Sequence, residues 1–123
     1  MAKTVLVVDD SPTMRQMVTC TLTAVGFQVI EAEHGRDAVN KVTGGQRMDL
    51  VVTDLNMPEM DGIALIKALR EMPSFKFTPI LMLTTESSDE KKKAGKAAGA
   101  TGWIVKPFNP ELMLKVIAKV LPA

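Results

Sequence analysis

The chain has 123 residues, of which 46% are hydrophobic, and its formal net charge at pH 7 is +1. This balance gives no electrostatic reason to expect a nucleic acid or a membrane surface as a partner, and no segment reaches the roughly 20 apolar residues that span a bilayer. The sequence has no signal-peptide pattern and its one cysteine, Cys20, cannot form an internal disulfide, so we expect a single cytoplasmic, monomeric domain over residues 1–123.

Short apolar runs punctuate the chain at intervals of roughly 20 to 30 residues, a spacing typical of repeated βα units. The runs begin near Val5, Gln28, Asp49, Pro79 and Gly102. Their length and composition are those of strands in a parallel sheet that helices cover on both faces. The pattern predicts an α/β fold, a single doubly wound (βα)5 domain.

The first predicted helix follows the first strand. Ser11 is suited to cap it, Pro12 to occupy its first turn, and Gly26 to end it. Apolar residues then recur at helical spacing, which predicts a buried face made of Met14, Met17, Val18, Leu22 and Val25.

The second and third predicted helices show the same spacing of apolar residues. The second carries Ala38, Val39 and Val42 and ends at Gly44 and Gly45, after a loop in which we expect His34 to be exposed. The third ends before Pro73, and its buried face is predicted to be Ile63, Leu65, Ile66, Leu69 and Met72.

The last two predicted helices differ in composition. Ser87 and Glu90 have the spacing of a capping box, but residues 91–98, the body of this fourth helix, carry little apolar bulk, so we expect loose packing. Asn109 is suited to cap the fifth helix and Pro110 to begin it. Its buried face is predicted to be Leu112, Met113, Val116, Ile117 and Val120.

Carboxylates are expected to converge at one edge of the sheet. Asp9 and Asp10 end the first strand and Asp54 ends the third, and ligands of open parallel sheets bind beyond the carboxyl ends of the strands. Such like charges would repel and raise each other's pKa values, a conflict that a hard divalent cation removes. An all-oxygen site favours magnesium or manganese, and simple solvation of the carboxylates is the alternative.

A hydroxyl and an ammonium are expected at the same edge. Thr84 ends the fourth strand and Lys106 the fifth. Opposite carboxylates with a bound metal, these groups suit phosphoryl transfer, because the phosphoryl oxygens carry spread negative charge. A carboxylate can attack phosphorus to form an acyl phosphate, so Asp54 is the candidate acceptor. A lysine at a strand end is otherwise usually a surface residue.

Taken in order, these motifs resemble the receiver domain of two-component response regulators. The resemblance rests on Asp9-Asp10, Asp54-Leu55-Asn56-Met57-Pro58, Asp61-Gly62, Thr84 and Lys106-Pro107-Phe108. The segment Thr13-Met14-Arg15, with Asn56 and Glu86, is most similar to the stand-alone chemotaxis regulators of the CheY type. It is the resemblance, rather than the spacing, that implies a flavodoxin-like sheet in the strand order 2-1-3-4-5.

The resemblance implies a role for each site residue. A histidine kinase would supply the phosphate to Asp54, and the receiver would catalyse its own phosphorylation and dephosphorylation without being a turnover enzyme. Asp10, Asp54 and the backbone carbonyl of Asn56 would hold Mg²⁺ directly, and Asp9 would act through water. Lys106 would pair with the phosphoryl group.

The resemblance also implies a switch. Thr84 would hydrogen-bond the phosphoryl group, and Trp103, where the family usually has Tyr or Phe, would move inward. The fourth helix, last strand and fifth helix would then bind a downstream protein such as the flagellar motor switch. The Lys106–Pro107 bond is expected to be cis, and Asn56 and Glu86 are expected to admit the hydrolytic water and shorten the phosphoryl lifetime.

Alternatives remain open from the sequence. A phosphorelay or another non-chemotaxis receiver would carry the same motifs, and the sequence leaves open whether a dedicated phosphatase acts on the protein. A haloacid-dehalogenase-type phosphatase also uses an aspartate, a hydroxyl, a lysine and magnesium, but it needs a second Asp where this chain has Asn56. A binding module with an inactive pocket is disfavoured because every motif residue is present.

Overall fold

The computed structural model describes residues 3–43, 47–85 and 88–121, over which strands and helices alternate as predicted. The strands are β1 (Thr4–Val8), β2 (Gln28–Ala32), β3 (Leu50–Thr53), β4 (Ile80–Thr84) and β5 (Gly102–Val105). The helices are α1 (Pro12–Thr23), α2 (Gly35–Val42), α3 (Gly62–Arg70), α4 (Asp89–Ala98) and α5 (Pro110–Val120), with a 3₁₀ turn at Pro73–Phe75. None of these helices combines the length and the apolar character needed to cross a membrane.

The described strands form one parallel sheet in the order β2-β1-β3-β4-β5, which confirms the flavodoxin-like topology. The central strands β3 and β4 are buried along their whole length, because helices cover both faces of the sheet. One hydrophobic cluster packs the sheet against α2 and α3, and the other packs it against α1 and α5. The apolar runs in the middle of the sheet therefore have the continuous burial that the sequence predicted, whereas the strands at its two edges, β2 and β5, are only partly buried.

The register of the sheet brings the site residues to one edge. The last residues of β1 and β3 pair with each other, and so do those of β4 and β5. Asp9 and Asp54 directly follow the first pair, while Thr84 and Lys106 lie at the end of the second. The predicted convergence at the carboxyl edge is thus confirmed for these strands.

Two predicted helix caps agree with the structure, and the predicted cap of α4 does not. Ser11 and Asn109 cap α1 and α5 through their side chains, and Gly26 has a φ of +96° in the turn after α1. The cap of α4 is Ser88, whose hydroxyl accepts the N–H of Lys91, so the predicted capping box was placed one residue too early. Ser87 itself, like the predicted end of the second helix at residues 44 and 45, lies outside the described residues.

His34 has a role that the sequence did not predict. It is half-buried rather than exposed, and its Nδ1 accepts the N–H of Asp37 at 3.1 Å. This contact caps the N-terminus of α2, where Ser, Thr, Asp or Asn is more usual. The imidazole of His34 therefore caps a helix and is less exposed than the sequence predicted.

Three predicted core residues are exposed instead: Met17, Val25 and Leu112 have exposed fractions of 49%, 54% and 57%. Val25 lies beyond the last residue of α1, so it no longer follows the helical period. Met17 and Leu112 each precede a buried residue, Val18 or Met113, and neighbouring residues point about 100° apart around a helix. The buried stripe of each helix is therefore narrower than its apolar pattern.

The helix α4 is loosely packed, as its composition predicted. Of its ten residues Gly95 alone is buried. The helix α3 ends at Arg70, two residues before the predicted Met72, which instead lies at the N-cap of the 3₁₀ turn Pro73–Phe75.

Gly62 allows α3 to pass close to the backbone of the candidate acceptor. A Cβ atom on Gly62 would lie 2.2 Å from the carbonyl oxygen of Asp54, and the Gly62 N–H donates to the Leu55 carbonyl at 2.8 Å. Neither partner is a side chain that can rotate away. Glycine is therefore required here for space.

We predict that Gly62→Ala lowers the free energy of unfolding by about 1–3 kcal/mol, because the added methyl group must displace backbone. Gly102→Ala is the matched control, since its Cβ would meet a flexible Leu81 methyl group at 2.9 Å. Urea unfolding measures both variants. Equal losses in the two would contradict the close approach at Gly62.

Candidate functional site

Asp9 is held at both carboxylate oxygens. Its Oδ1 accepts the N–H of Ser11 at 2.9 Å, and its Oδ2 accepts a hydrogen bond from Lys106 Nζ at 2.8 Å. The residue is 2% exposed. Because the start of α1 and the end of β5 both fix it, this carboxylate has little freedom to turn.

Asp54 shares the same lysine. Lys106 Nζ lies 3.3 Å from Asp54 Oδ2, so one ammonium bridges two carboxylates that are 45 residues apart in the sequence. The other oxygen, Oδ1, accepts the N–H of Leu55 at 2.8 Å. Asp54 itself is 8% exposed, which leaves a narrow opening toward solvent.

Burial raises the pKa of Asp54 above its usual range, and the Asp9 carboxylate raises it further. The Lys106 ammonium and the Leu55 N–H lower this pKa, but the net direction is upward. Burial therefore outweighs the favourable contacts that the ionised carboxylate makes with Lys106 and Leu55.

Asp10 completes an acidic cluster. It is exposed, and within the described residues one carboxylate oxygen from each of Asp9, Asp10 and Asp54 lies within 4.8 Å of the others. Such an all-oxygen, negatively charged set has the chemistry of a site for a hard divalent cation. Asn56 is exposed two residues after Asp54, in the loop between β3 and α3.

Thr84 and Trp103 lie on neighbouring strands. Thr84 is fully buried at the end of β4, and its carbonyl accepts the N–H of Lys106 at 2.8 Å. Trp103 is half-buried on β5, beneath α4, where a Cβ on Gly95 would lie 3.1 Å from the indole Cζ3. Of the two predicted switch residues, Thr84 thus lies at the carboxyl edge and Trp103 lies against the loosely packed helix. Glu86 lies outside the described residues.

The bond between Lys106 and Pro107 is cis, as predicted.

The contacts of Arg15 were not predicted from the sequence. Its guanidinium donates from Nη1 to the carbonyl of Asp9 at 2.7 Å and from Nε to Glu31 Oε1 at 2.9 Å. The sequence marked Arg15 only as part of a family pattern. An arginine in the second turn of a helix that starts beside a site residue is the signal that could have indicated the contact.

Residues 5–118 match the family described as the response regulator receiver domain. The chain belongs to this family. It is 42% identical to the chemotaxis protein CheY1 of Helicobacter pylori over 117 residues, which are 94% of each chain. It is also 41% identical to a chemotaxis protein CheY homolog of Campylobacter jejuni, over 94% of this chain and 90% of that one.

Solved structures agree with this assignment. The chemotaxis protein CheY4 of Vibrio cholerae, crystallised at low pH, is 53% identical, with a TM-score of 0.94 over 98% of this chain and 100% of that one. The receiver therefore resembles CheY-type regulators in both fold and sequence. This likeness sets aside the haloacid-dehalogenase-type phosphatase.

We predict that Asp54→Asn raises the free energy of unfolding of the metal-free receiver at pH 7. Because the pKa of Asp54 is raised on folding, the folded receiver binds more protons than the unfolded chain between the two pKa values, and stability falls as pH rises through that interval. Asparagine does not titrate and can still accept the Leu55 N–H. The increase in the free energy of unfolding should therefore vanish at pH values below the ordinary pKa of aspartate. Urea unfolding in EDTA at several pH values measures the gain.

Asp37→Asn is a control of opposite sign. The N–H of Glu33 and the ammonium of Lys41 lower the pKa of Asp37, so its contribution is present above the unfolded pKa and lost as pH falls through the folded one. This variant should lose stability at pH 7. If Asp54→Asn also loses stability there, burial does not dominate at Asp54.

Proposed function

We propose that residues 1–123 act as one receiver domain that a histidine kinase phosphorylates on Asp54, with magnesium, to signal in chemotaxis. The observation that carries the proposal is the position of Lys106 Nζ, 2.8 Å from Asp9 and 3.3 Å from Asp54. An ammonium so placed beside a nucleophilic carboxylate can pair with phosphoryl oxygens as they arrive. The chemotaxis role is supported by the relatives, which are named chemotaxis proteins.

The receiver itself catalyses the transfer in this proposal. A carboxylate oxygen of Asp54 attacks phosphorus and an O–P bond forms as the P–N bond of the phosphohistidine breaks. The histidine ring keeps the electron pair of that bond and, with its other nitrogen already protonated, leaves as neutral imidazole. The Leu55 N–H holds the carboxylate in place, and Lys106 follows the negative charge onto the phosphoryl group. Thr84, buried at the neighbouring strand end, would then donate its hydroxyl to a phosphoryl oxygen.

The proposed direct ligands of Mg²⁺ are the carboxylates of Asp10 and Asp54 and the backbone carbonyl of Asn56. Asp9 would act through water, a role supported by the hydrogen bonds that already engage both of its oxygens. When bound, the ion offsets the negative charge of the carboxylates and of the incoming phosphoryl group.

The proposed output face consists of α4, β5 and α5. Trp103 lies under α4 and lines a cavity of about 240 Å³ together with Lys92 and Lys96. Because α4 buries so little of its surface, it is the part of this face that can shift most easily when Thr84 and Trp103 move. A downstream protein such as the flagellar motor switch would bind the shifted arrangement more tightly.

We predict that acetyl phosphate and Mg²⁺ add one phosphate to the receiver, and that Asp54→Asn abolishes the addition. Intact-protein mass spectrometry measures the change. Asp49→Asn is the matched control, because Asp49 lies before β3 and accepts the Thr4 N–H, away from the carboxyl edge. Phosphorylation of Asp54→Asn to the level of the wild type would refute the assignment of the acceptor.

We also predict that beryllofluoride with Mg²⁺ changes the emission of Trp103, the single tryptophan of the chain, because the indole environment alters when the output face shifts. Asp54→Ala should show no change. If the emission of the wild type stays constant while fluorine NMR shows the mimic bound, Trp103 is not coupled to the site.

A further inference from the structure

Arg15 joins the first carboxylate-bearing loop to the edge strand of the sheet. It lies on α1 with a side chain that is 15% exposed, and it donates one hydrogen bond to the Asp9 carbonyl and one to the Glu31 carboxylate. Glu31 belongs to β2, which pairs along its length with β1. The guanidinium thus connects the loop after β1 to the rigid sheet.

The contact with Asp9 acts on the backbone. The Asp9 carbonyl belongs to the planar peptide unit that leads into Asp10, so holding this oxygen limits the rotation of the unit on both sides. Asp9 has its carboxylate fixed by Ser11 and Lys106, whereas Asp10 is exposed. The direction in which Asp10 leaves the chain therefore depends on the peptide unit that Arg15 holds.

The positive charge of Arg15 does not by itself explain why an arginine occupies this position. A positive side chain close to a candidate cation site opposes metal binding by Coulomb repulsion. The ion pair with Glu31 is half-exposed, and pairs of this kind contribute little to stability. A planar fork that spans a carbonyl and a carboxylate is instead suited to fixing geometry.

We propose that Arg15 is a positioning residue that orients Asp10 toward Asp9 and Asp54 for Mg²⁺. The inference rests on the proposed function and adds a residue that does not touch the ion. Partners of this kind beyond the metal ligands typically change metal affinity by about 10- to 100-fold when they are replaced.

Calorimetric titration of EDTA-treated receiver with MgCl₂ and with CaCl₂ tests the proposal. Arg15→Met should raise the dissociation constant for Mg²⁺ by about tenfold or more. The loss should be smaller for Ca²⁺, because Mg²⁺ demands near-ideal octahedral geometry and Ca²⁺ accepts irregular sites. The preference for Mg²⁺ over Ca²⁺ should therefore fall.

Arg15→Lys and Arg36→Met distinguish the effect of the geometry of Arg15 from the effect of its charge. Arg15→Lys keeps the charge, but one ammonium group cannot reproduce the two-sided fork, so the preference for Mg²⁺ should fall here too. Arg36→Met removes the same charge from an exposed residue that lies 3.8 Å from Glu59, and it should leave the preference unchanged. If Arg15→Met does not fold, Glu31→Gln replaces it in the test. This substitution weakens the hydrogen bond between Arg15 and Glu31, so it should also lower the preference for Mg²⁺ over Ca²⁺.

Each outcome has one meaning. Tighter binding of both ions by Arg15→Met, or an unchanged preference in Arg15→Lys and Glu31→Gln, would overturn the positioning role while leaving the metal site intact. No Mg²⁺ binding by the wild type would overturn the proposed magnesium site itself, and the inference with it.

Discussion

The candidate site depends on the ammonium of Lys106, which donates a hydrogen bond to Asp9 and forms an ion pair with Asp54. A parallel sheet delivers the ends of its strands to one edge, so carboxylates from distant parts of the chain are forced together there. Burial is the main cause of the raised pKa of Asp54 at this edge, and the neighbouring Asp9 carboxylate adds to it. One ammonium offsets part of the charge, and the three carboxylates that remain close together have the chemistry of a site for a hard divalent cation.

The molecule combines a rigid frame with one loosely packed helix. The central strands and the helices beside them form two continuous clusters, whereas α4 buries a single residue, Gly95. Lys106 makes contacts with two parts of the structure. Its side chain lies in the acidic site, and its backbone N–H donates to the carbonyl of Thr84 on the neighbouring strand. The candidate acceptor Asp54 is therefore linked through the side chain and backbone of Lys106 to the ends of β4 and β5.

The sequence predicts the strands and the site edge well because both depend on local signals, namely continuous apolar runs and the polar residues that end them. Features that depend on tertiary distance were not predictable. The guanidinium of Arg15 bridges the loop after β1 and the strand β2, and the need for glycine at position 62 arises from the backbone of Asp54. Leu112 was wrongly predicted to be buried because an apolar pattern shows which residues can pack, but not how wide the covered stripe is.

A crystal structure of the receiver grown with Mg²⁺ and beryllofluoride would test the central claim most directly. The account predicts one adduct, on Asp54, with the Lys106 ammonium against a fluorine and one metal ion held by Asp10, Asp54 and the carbonyl of Asn56. An adduct on another carboxylate, or a metal ion bound away from this edge of the sheet while Asp54 carries the adduct, would contradict it.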